Sequence, residues 1–249
     1  MSAVEKDFDN LARLDSDGWT QNNHYHDFLL RHVPWDCRNA LEIGCGTGAF
    51  SRRLAKLAQH VVALDLSPEM IQVAQFRSKL LRNTEFQRAD VMNYLPAVSV
   101  QELRTQSERF DCIVSIATLH HLELREILAR MKGALRPRGV LIVLDLFEAN
   151  RDLTKPEGML DAISNLIAIG VSGSLRLIHN GRLKPPPEVR AAWAAHERHD
   201  SYPTMRDIRA LCAEILPAAK VRKHLLWRYS IVWEKPLLDR VEGRWNLAE

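Results

Sequence analysis

Leu41-Glu42-Ile43-Gly44-Cys45-Gly46-Thr47-Gly48 decides the fold of this 249-residue chain. An apolar run that stops at glycines reads as a buried strand ending where the backbone must pass close to a ligand. Glycine suits that place because it takes positive φ and has no side chain to hold the ligand off. A second apolar run, Val61-Val62-Ala63-Leu64, ends in Asp65. A glycine turn after one strand, with an acid at the tip of the next, is an arrangement that holds a nucleoside.

Outward from this point the pattern alternates. Residues 40–44 read as a strand, 49–59 as a helix and 60–66 as a strand. Ser67-Pro68-Glu69 starts a helix, with Ser67 as N-cap and Pro68 at the first helical position. A weaker strand at 84–88 leads to Asp90, and 99–108 reads as a polar helix. Residues 110–116 form a continuous apolar strand and 122–135 a helix, stopped by Arg136-Pro137-Arg138-Gly139. A strong strand follows at 140–147. Strands apolar on both faces, separated by helices, predict an α/β doubly wound parallel sheet with right-handed crossovers.

The flanks break this rhythm. Residues 8–33 read as helical around a polar loop at 15–23, with Tyr25, Phe28, Leu29 and His32 on one face and Pro34 as the stop. Residues 148–203 hold no convincing strand: an apolar helix at 157–170, a Gly/Ser segment, Lys184-Pro185-Pro186-Pro187 and a helix at 188–199. A helix at 204–215 precedes strands at 221–227 and 229–234, split by Arg228 and so close that they can only be an antiparallel hairpin or a bulged strand pair. The expected organisation is one domain: a helical cap (1–35), a core (36–147), an inserted helical lid (148–203), and a last helix with a terminal strand pair (204–249).

Composition bounds the function. The chain is 46% hydrophobic and 26% charged with a net charge of +3, which argues against a dedicated nucleic-acid surface. Cys37, Cys45, Cys112 and Cys212 form no C-x-x-C pair, so a zinc or redox motif is not expected, and free thiols suit a cytoplasmic setting. The N-terminus lacks the apolar stretch of a signal peptide. The apolar window 163–169 is expected to be too short and polar for membrane insertion.

Two nucleoside readings compete. Gly44-x-Gly46-x-x-Ala49 satisfies the loose dinucleotide fingerprint. The longer string Glu42-x-Gly44-x-Gly46-x-Gly48 resembles the first motif of the class I S-adenosylmethionine-dependent methyltransferases. Four further segments resemble that family in the same order. They are Ala63-Leu64-Asp65-Leu66-Ser67-Pro68-Glu69-Met70, then Gln87-Arg88-Ala89-Asp90-Val91, then Phe110 to Ser115 with Leu119-His120-His121-Leu122, and then Leu135-Arg136-Pro137-Arg138-Gly139. The last departs from the family at Arg138, where a second glycine is usual. The resemblance covers residues 39–147 and the terminal strand pair, and is nearest the UbiE-like (type 11) small-molecule enzymes. It implies a Rossmann-like seven-stranded sheet with an antiparallel C-terminal strand.

Site residues follow from the resemblance. Gly44, Cys45, Gly46 and Gly48 would pass beside the methionine moiety and ribose of S-adenosylmethionine, or of its product S-adenosylhomocysteine. Asp65 would accept from both ribose hydroxyls. Asp90 would accept from the adenine amino group, with Val91 beside the ring and Leu66 and Met70 covering it. The backbone at Ser115 would meet the methionine amino group, Glu42 would act through water, and Tyr25 would close the pocket.

Methyl transfer is an in-line displacement needing mainly alignment, and a base only when the nucleophile arrives protonated. His121, His120, His24 and His26 are the candidate bases, with loop packing as the bland alternative for His120-His121. Trp193, His196 and His199 are candidates for a lid face. The Asp/Asn-Pro-Pro-Tyr segment of nucleic-acid amino-methyltransferases is missing after residue 115, and no magnesium-holding acid set is evident. A small-molecule acceptor methylated on O, N or C is expected, from a monomer or homodimer. A tRNA or rRNA methyltransferase and a non-catalytic cofactor-binding protein are the alternatives.

Overall fold

The structure, a computed structural model, describes residues 3–14, 18–95, 110–196 and 200–237. The helix expected at 99–108 and His199 lie outside the described residues.

Seven strands form one sheet: β1 (Asn39–Ile43), β2 (His60–Asp65), β3 (Thr84–Arg88), β4 (Phe110–Ile116), β5 (Leu135–Leu146), β6 (Lys220–Lys223) and β7 (Arg228–Glu234), in the order β3-β2-β1-β4-β5-β7-β6. The first five are parallel, and β7 runs antiparallel to both β5 and β6. The order reverses between β1 and β4, which opens a crevice at their carboxyl ends where open α/β sheets bind ligands.

Alternation along the strands sorts side chains onto two faces. Leu41, Ile43, Val62, Leu64, Ile113, Leu141 and Val143 pack on one side with Ile127, Leu128 and Met131 of α6 (Leu124–Ala134) and Ile208 and Cys212 of α9 (Met205–Ile215). Ala40, Val61, Ala63, Cys112, Val114, Ile142 and Leu144 pack on the other with Leu29 of α2 (His26–Leu30) and Leu54 of α3 (Ser51–Leu54).

The Ser67 hydroxyl caps α4 (Pro68–Arg77), accepting from the Met70 amide at 3.1 Å, with Pro68 at the first position as expected. Thr204 and Glu123 cap α9 and α6 in the same way. The N-terminal reading changes. A separate α1 (Ala3–Leu14) packs against α4 and α8 (Pro187–His196) through Phe8, Leu11, Ala12, Met70 and Ala192. The Tyr25 segment is a short 3-10 turn running into α2.

The terminal strands also shift. Arg228 begins β7 rather than splitting two strands. Leu226 and Trp227, both at positive φ, make the connection. The largest departure is α7 (Pro156–Asn180), which continues ten residues past the expected end at 170, through the Gly/Ser segment, and stops at the left-handed Gly181. Glycine and serine here lower helix propensity without breaking the helix. At 25 residues it is long and apolar enough, by length and composition, to cross a bilayer, which corrects the expectation drawn from 163–169.

Candidate active site

A cavity of about 1770 Å³ opens at the carboxyl ends of β1, β2 and β4. A pocket for a single small ligand holds roughly 300–1,000 Å³, so this one has room for two substrates. The glycine turn forms its floor. The Gly44 and Cys45 amides both donate to the Leu64 carbonyl at 2.9 Å, locking the turn to the end of β2.

The three glycines at positive φ do different work. A Cβ on Gly44 would lie 1.9 Å from Thr118 Oγ1, and one on Gly48 3.0 Å from Phe86. Those two are small because protein packs on them, and Gly48 does not line the cavity. A Cβ on Gly46 would meet nothing within 4 Å. Gly44 and Gly46 both line the cavity, but only Gly46 has open space over its backbone.

Asp65 ties the floor together. Its Oδ2 accepts from the Gly46 amide at 2.8 Å and its Oδ1 from the Ser67 amide at 2.9 Å. Burial pushes this carboxyl above its ordinary range, with the backbone donors pulling the other way. Each oxygen keeps a lone pair, so two further donors such as vicinal ribose hydroxyls fit. Glu42 lies beneath, 2% exposed, accepting from the Ser51 hydroxyl at 2.5 Å. Burial raises its pKa to about 8, with the Asp65 charge adding to the rise.

Asp90, at the lip, caps α5 (Val91–Tyr94) by accepting from the Met92 amide at 2.9 Å. Leu66, Met70, Asp90 and Val91 line one wall. The residues present therefore fit S-adenosylmethionine: a bare glycine backbone, a two-oxygen acceptor at a strand tip, and an apolar slot ending in a second acid.

Other expected residues stand elsewhere. Ser115 is fully buried, its hydroxyl donating to the Ile43 carbonyl at 3.2 Å. The cavity surface of the β4 end is Ile116, Ala117 and Thr118 instead. Tyr25 does not line the cavity. Its hydroxyl donates to the Leu225 carbonyl at 2.5 Å, and burial holds its pKa up at about 12. His26 is buried against Phe50, with its pKa lowered to about 4 by burial. His24 stacks edge-on with Trp19 and Tyr25, outside the cavity lining. The expected cap over the site is supplied by Phe8, Leu11 and Leu14 of α1 and by residues 18–23.

His120 and His121 do face the cavity, within a buried polar cluster. His120 Nδ1 lies 2.6 Å from Asp145 Oδ1, and the His120 amide donates to Asp145 Oδ2 at 3.2 Å. A carboxylate only accepts, so Nδ1 carries a proton, and in the neutral ring Nε2 is then the accepting nitrogen. That Nε2 is 3.9 Å from Asp200 Oδ2, too far for a hydrogen bond. His121 Nδ1 is 3.4 Å from Asp200 Oδ1, while its Nε2 is buried with no partner among the described residues. Burial, then the neighbouring His120, lower the His121 pKa to about 4. His196 of α8 joins the cluster, 3.5 Å from Asp7 and 3.8 Å from Asp200.

Sequence spacing does not reveal Asp145 and Asp200, because one is a lone acid in an apolar strand and the other sits about 80 residues from His120 and His121. Trp193 lines the cavity as expected of a lid face.

Comparison with known proteins agrees with this geometry. Residues 41–143 match a family model described as a methyltransferase domain. An uncharacterized methyltransferase of Mycobacterium tuberculosis is 27% identical over 223 residues, covering 88% of this chain and 98% of that one. The malonyl-[acyl-carrier protein] O-methyltransferase of a Paenibacillus species is 38% identical over 107 residues, 41% of this chain and 36% of that one. Among solved structures, the N-methyltransferase NodS of Bradyrhizobium japonicum, in complex with S-adenosylhomocysteine, shares the fold with a TM-score of 0.57 at 18% identity, covering 94% of this chain and 100% of that one. With the glycine turn, the Asp65 tip and the reversed strand order in place, residues 41–143 carry a methyltransferase domain with the fold and cofactor-site geometry of S-adenosylmethionine-dependent methyltransferases.

Proposed function

We propose that this enzyme methylates an anionic small molecule on an oxygen or nitrogen, with His120 as the base. The bound S-adenosylmethionine supplies an electrophilic methyl group on a good leaving group. The chain's own residues then have three tasks. Gly46, Asp65 and Asp90 hold and orient the donor. The α1, α7 and α8 walls exclude water. His120 takes the acceptor's proton.

The observation that carries the last role is the 2.6 Å contact of buried Asp145 with His120, which lines the same cavity as the glycine turn. Asp145 fixes the tautomer and stabilises the imidazolium that forms, leaving Nε2 free to accept. His121 is the poorer base, because a group with a pKa lowered to about 4 holds a proton weakly at neutral pH.

Acceptor charge is read from the lining. Arg176, Arg182, Lys184 and Arg190 line the side of the cavity built by α7, α8 and their connection. Arg176 bonds to Gln21 at 2.9 Å and stacks over Trp19, and burial lowers its pKa. Such cations favour a carboxylate or phosphate on the acceptor. O-methylation is named for the Paenibacillus relative and N-methylation for NodS, and both support a heteroatom nucleophile. The four buried free cysteines suit a reducing, cytoplasmic setting.

The test uses methyl-labelled donor with a panel of hydroxy-, amino- and carboxylate-bearing acids, followed by a kcat/KM pH profile on the best acceptor. His120→Gln and Asp145→Asn should each cut kcat by about 10²–10⁴-fold while leaving S-adenosylhomocysteine affinity within a factor of two or so. Equal losses in donor binding and turnover would make the pair structural. Labelling of uncharged acceptors alone would sink the anionic assignment.

A further inference from the structure

The helix α7 is built inside out. Asp161 pairs with Lys223, Asn165 accepts from the Trp227 indole at 2.6 Å, and Ser172 accepts from Gln21 at 3.3 Å. Arg176 donates to Gln21, and Asn180 exchanges two hydrogen bonds with the Trp19 backbone at 2.8 and 2.9 Å. These polar residues recur at helical spacing on the face turned to the body of the protein. The opposite face carries Met159, Leu160, Ile163, Leu166, Ile167, Leu177 and Ile178, each at least half exposed. An apolar face of this size on solvent marks a contact surface.

We propose that this face is the two-fold interface of a homodimer, in which the α7 helices of two copies cross antiparallel. Three observations select a second copy of the chain. First, Leu160, Ile163, Ile167, Gly170, Ser174 and Leu177 follow the alternating three- and four-residue spacing of a coiled-coil seam, and all are exposed.

Second, an antiparallel pairing centred between Ala168 and Ile169 is self-complementary. It sets Ile163 opposite Ser174 and Ile167 opposite Gly170, so large meets small through the middle of the seam, and Leu160 opposite Leu177, so that leucines meet at its two ends. The space over Gly170 is open, with nothing within 4 Å of a Cβ built there. Isologous contact requires such self-matching.

Third, the exposed side chains together offer an area of the order of the ~800 Å² per partner that a standard interface covers. A helix lying on a membrane would instead carry Trp or Phe on its apolar face and several Lys or Arg beside it. Between Pro156 and Asn180 there is no aromatic residue of that kind, no Lys, and one Arg, which faces inward.

The experiment is sedimentation velocity on the full chain across micromolar concentrations, with flotation on phosphatidylcholine/phosphatidylglycerol vesicles run in parallel. The expected result is a wild-type mass of two chains. Ile167→Glu should sediment as a monomer with an unchanged circular dichroism spectrum. Gly170→Ile should weaken the dimer at least tenfold by driving a side chain into Ile167 of the partner subunit. Adding Ile167→Ala to Gly170→Ile should restore it, because the large–small order is then exchanged across the axis. A monomeric wild type overturns the proposal, and so does a dimer indifferent to Ile167→Glu. A monomer that floats with the vesicles would assign the face to a membrane instead.

Discussion

At the residue scale, the glycine turn separates two requirements that a motif runs together. Gly44 is fixed by Thr118, and Gly46 by its left-handed backbone and by what enters the cavity. Gly46→Val should therefore leave a folded protein, destabilised by roughly 1–2 kcal/mol for the left-handed backbone, while S-adenosylhomocysteine binding by calorimetry drops below detection. Gly44→Ala should instead lower the melting temperature in the absence of ligand. If both variants lose stability and binding in proportion, the distinction fails.

Glu42 gives a signed pH effect. Its folded pKa of about 8 lies above the ordinary 4.5, so the folded state prefers the protonated form. Its favourable contribution is complete below pH 4.5 and is lost as the pH rises through about 8. Glu42→Gln keeps a neutral group of the same shape. It should raise stability by roughly 1–3 kcal/mol at alkaline pH and change little in acid. Denaturant unfolding at both ends of the range checks the sign; a gain in acid rather than base would show that Glu42 is ionised in the fold.

At the element scale, Ser67 joins two helices. Its oxygen caps α4, and its hydroxyl donates to Asp9 Oδ1 of α1 at 2.6 Å. Ser67→Ala removes both bonds and should cost about 1–2 kcal/mol. It should also weaken donor binding, since Phe8, Leu11 and Leu14 of α1 roof the cavity. Ser67→Thr should retain the bonds and rescue both readouts. A loss of stability with no loss of affinity would confine Ser67 to capping.

The same elements show what the sequence could and could not say. β1, β2, β4 and β5 were legible because both faces of each strand are buried, so the apolar runs carry no other meaning, whereas β3, with no buried residue, reads only as a weaker strand. The Ser67-Pro68 start was legible because capping is local chemistry. By contrast, α7 reads as broken at Gly170 and Ser172 because its stability does not come from propensity. It comes from bonds to Trp19, Gln21, Lys223 and Trp227, which sequence spacing cannot show. Tyr25 misled for a related reason: a tyrosine near a nucleoside site suggests a lid, but its hydroxyl is held by Leu225, 200 residues away.

At the scale of the whole molecule, the cavity is assembled from parts distant in sequence. Its floor is the β1–β2 turn, its roof is α1 with residues 18–23, and its far wall is α7, α8 and Asp200. The sheet is rigid: β1, β2, β4 and β5 contribute fully buried residues to the core. Of the walls, α8 is the most lightly attached, because it has one buried residue, His196. Ligand-binding elements drawn from the weakly held part of a fold open locally at low free energy. A donor seated against Gly46 and Asp65 touches both floor and roof, so binding should stabilise elements that have few contacts of their own. Adding S-adenosylhomocysteine should slow amide hydrogen exchange in α1 and α8 as well as in the 44–48 turn, and leave the already protected β1 and β4 unchanged. Because Asp7 on α1 and His196 on α8 meet beside Asp200, the two helices should be protected together. Protection confined to the turn would mean that the roof closes only when the acceptor arrives. In that event, the same measurement with donor product and acceptor both present separates ordered closure from a roof that never moves.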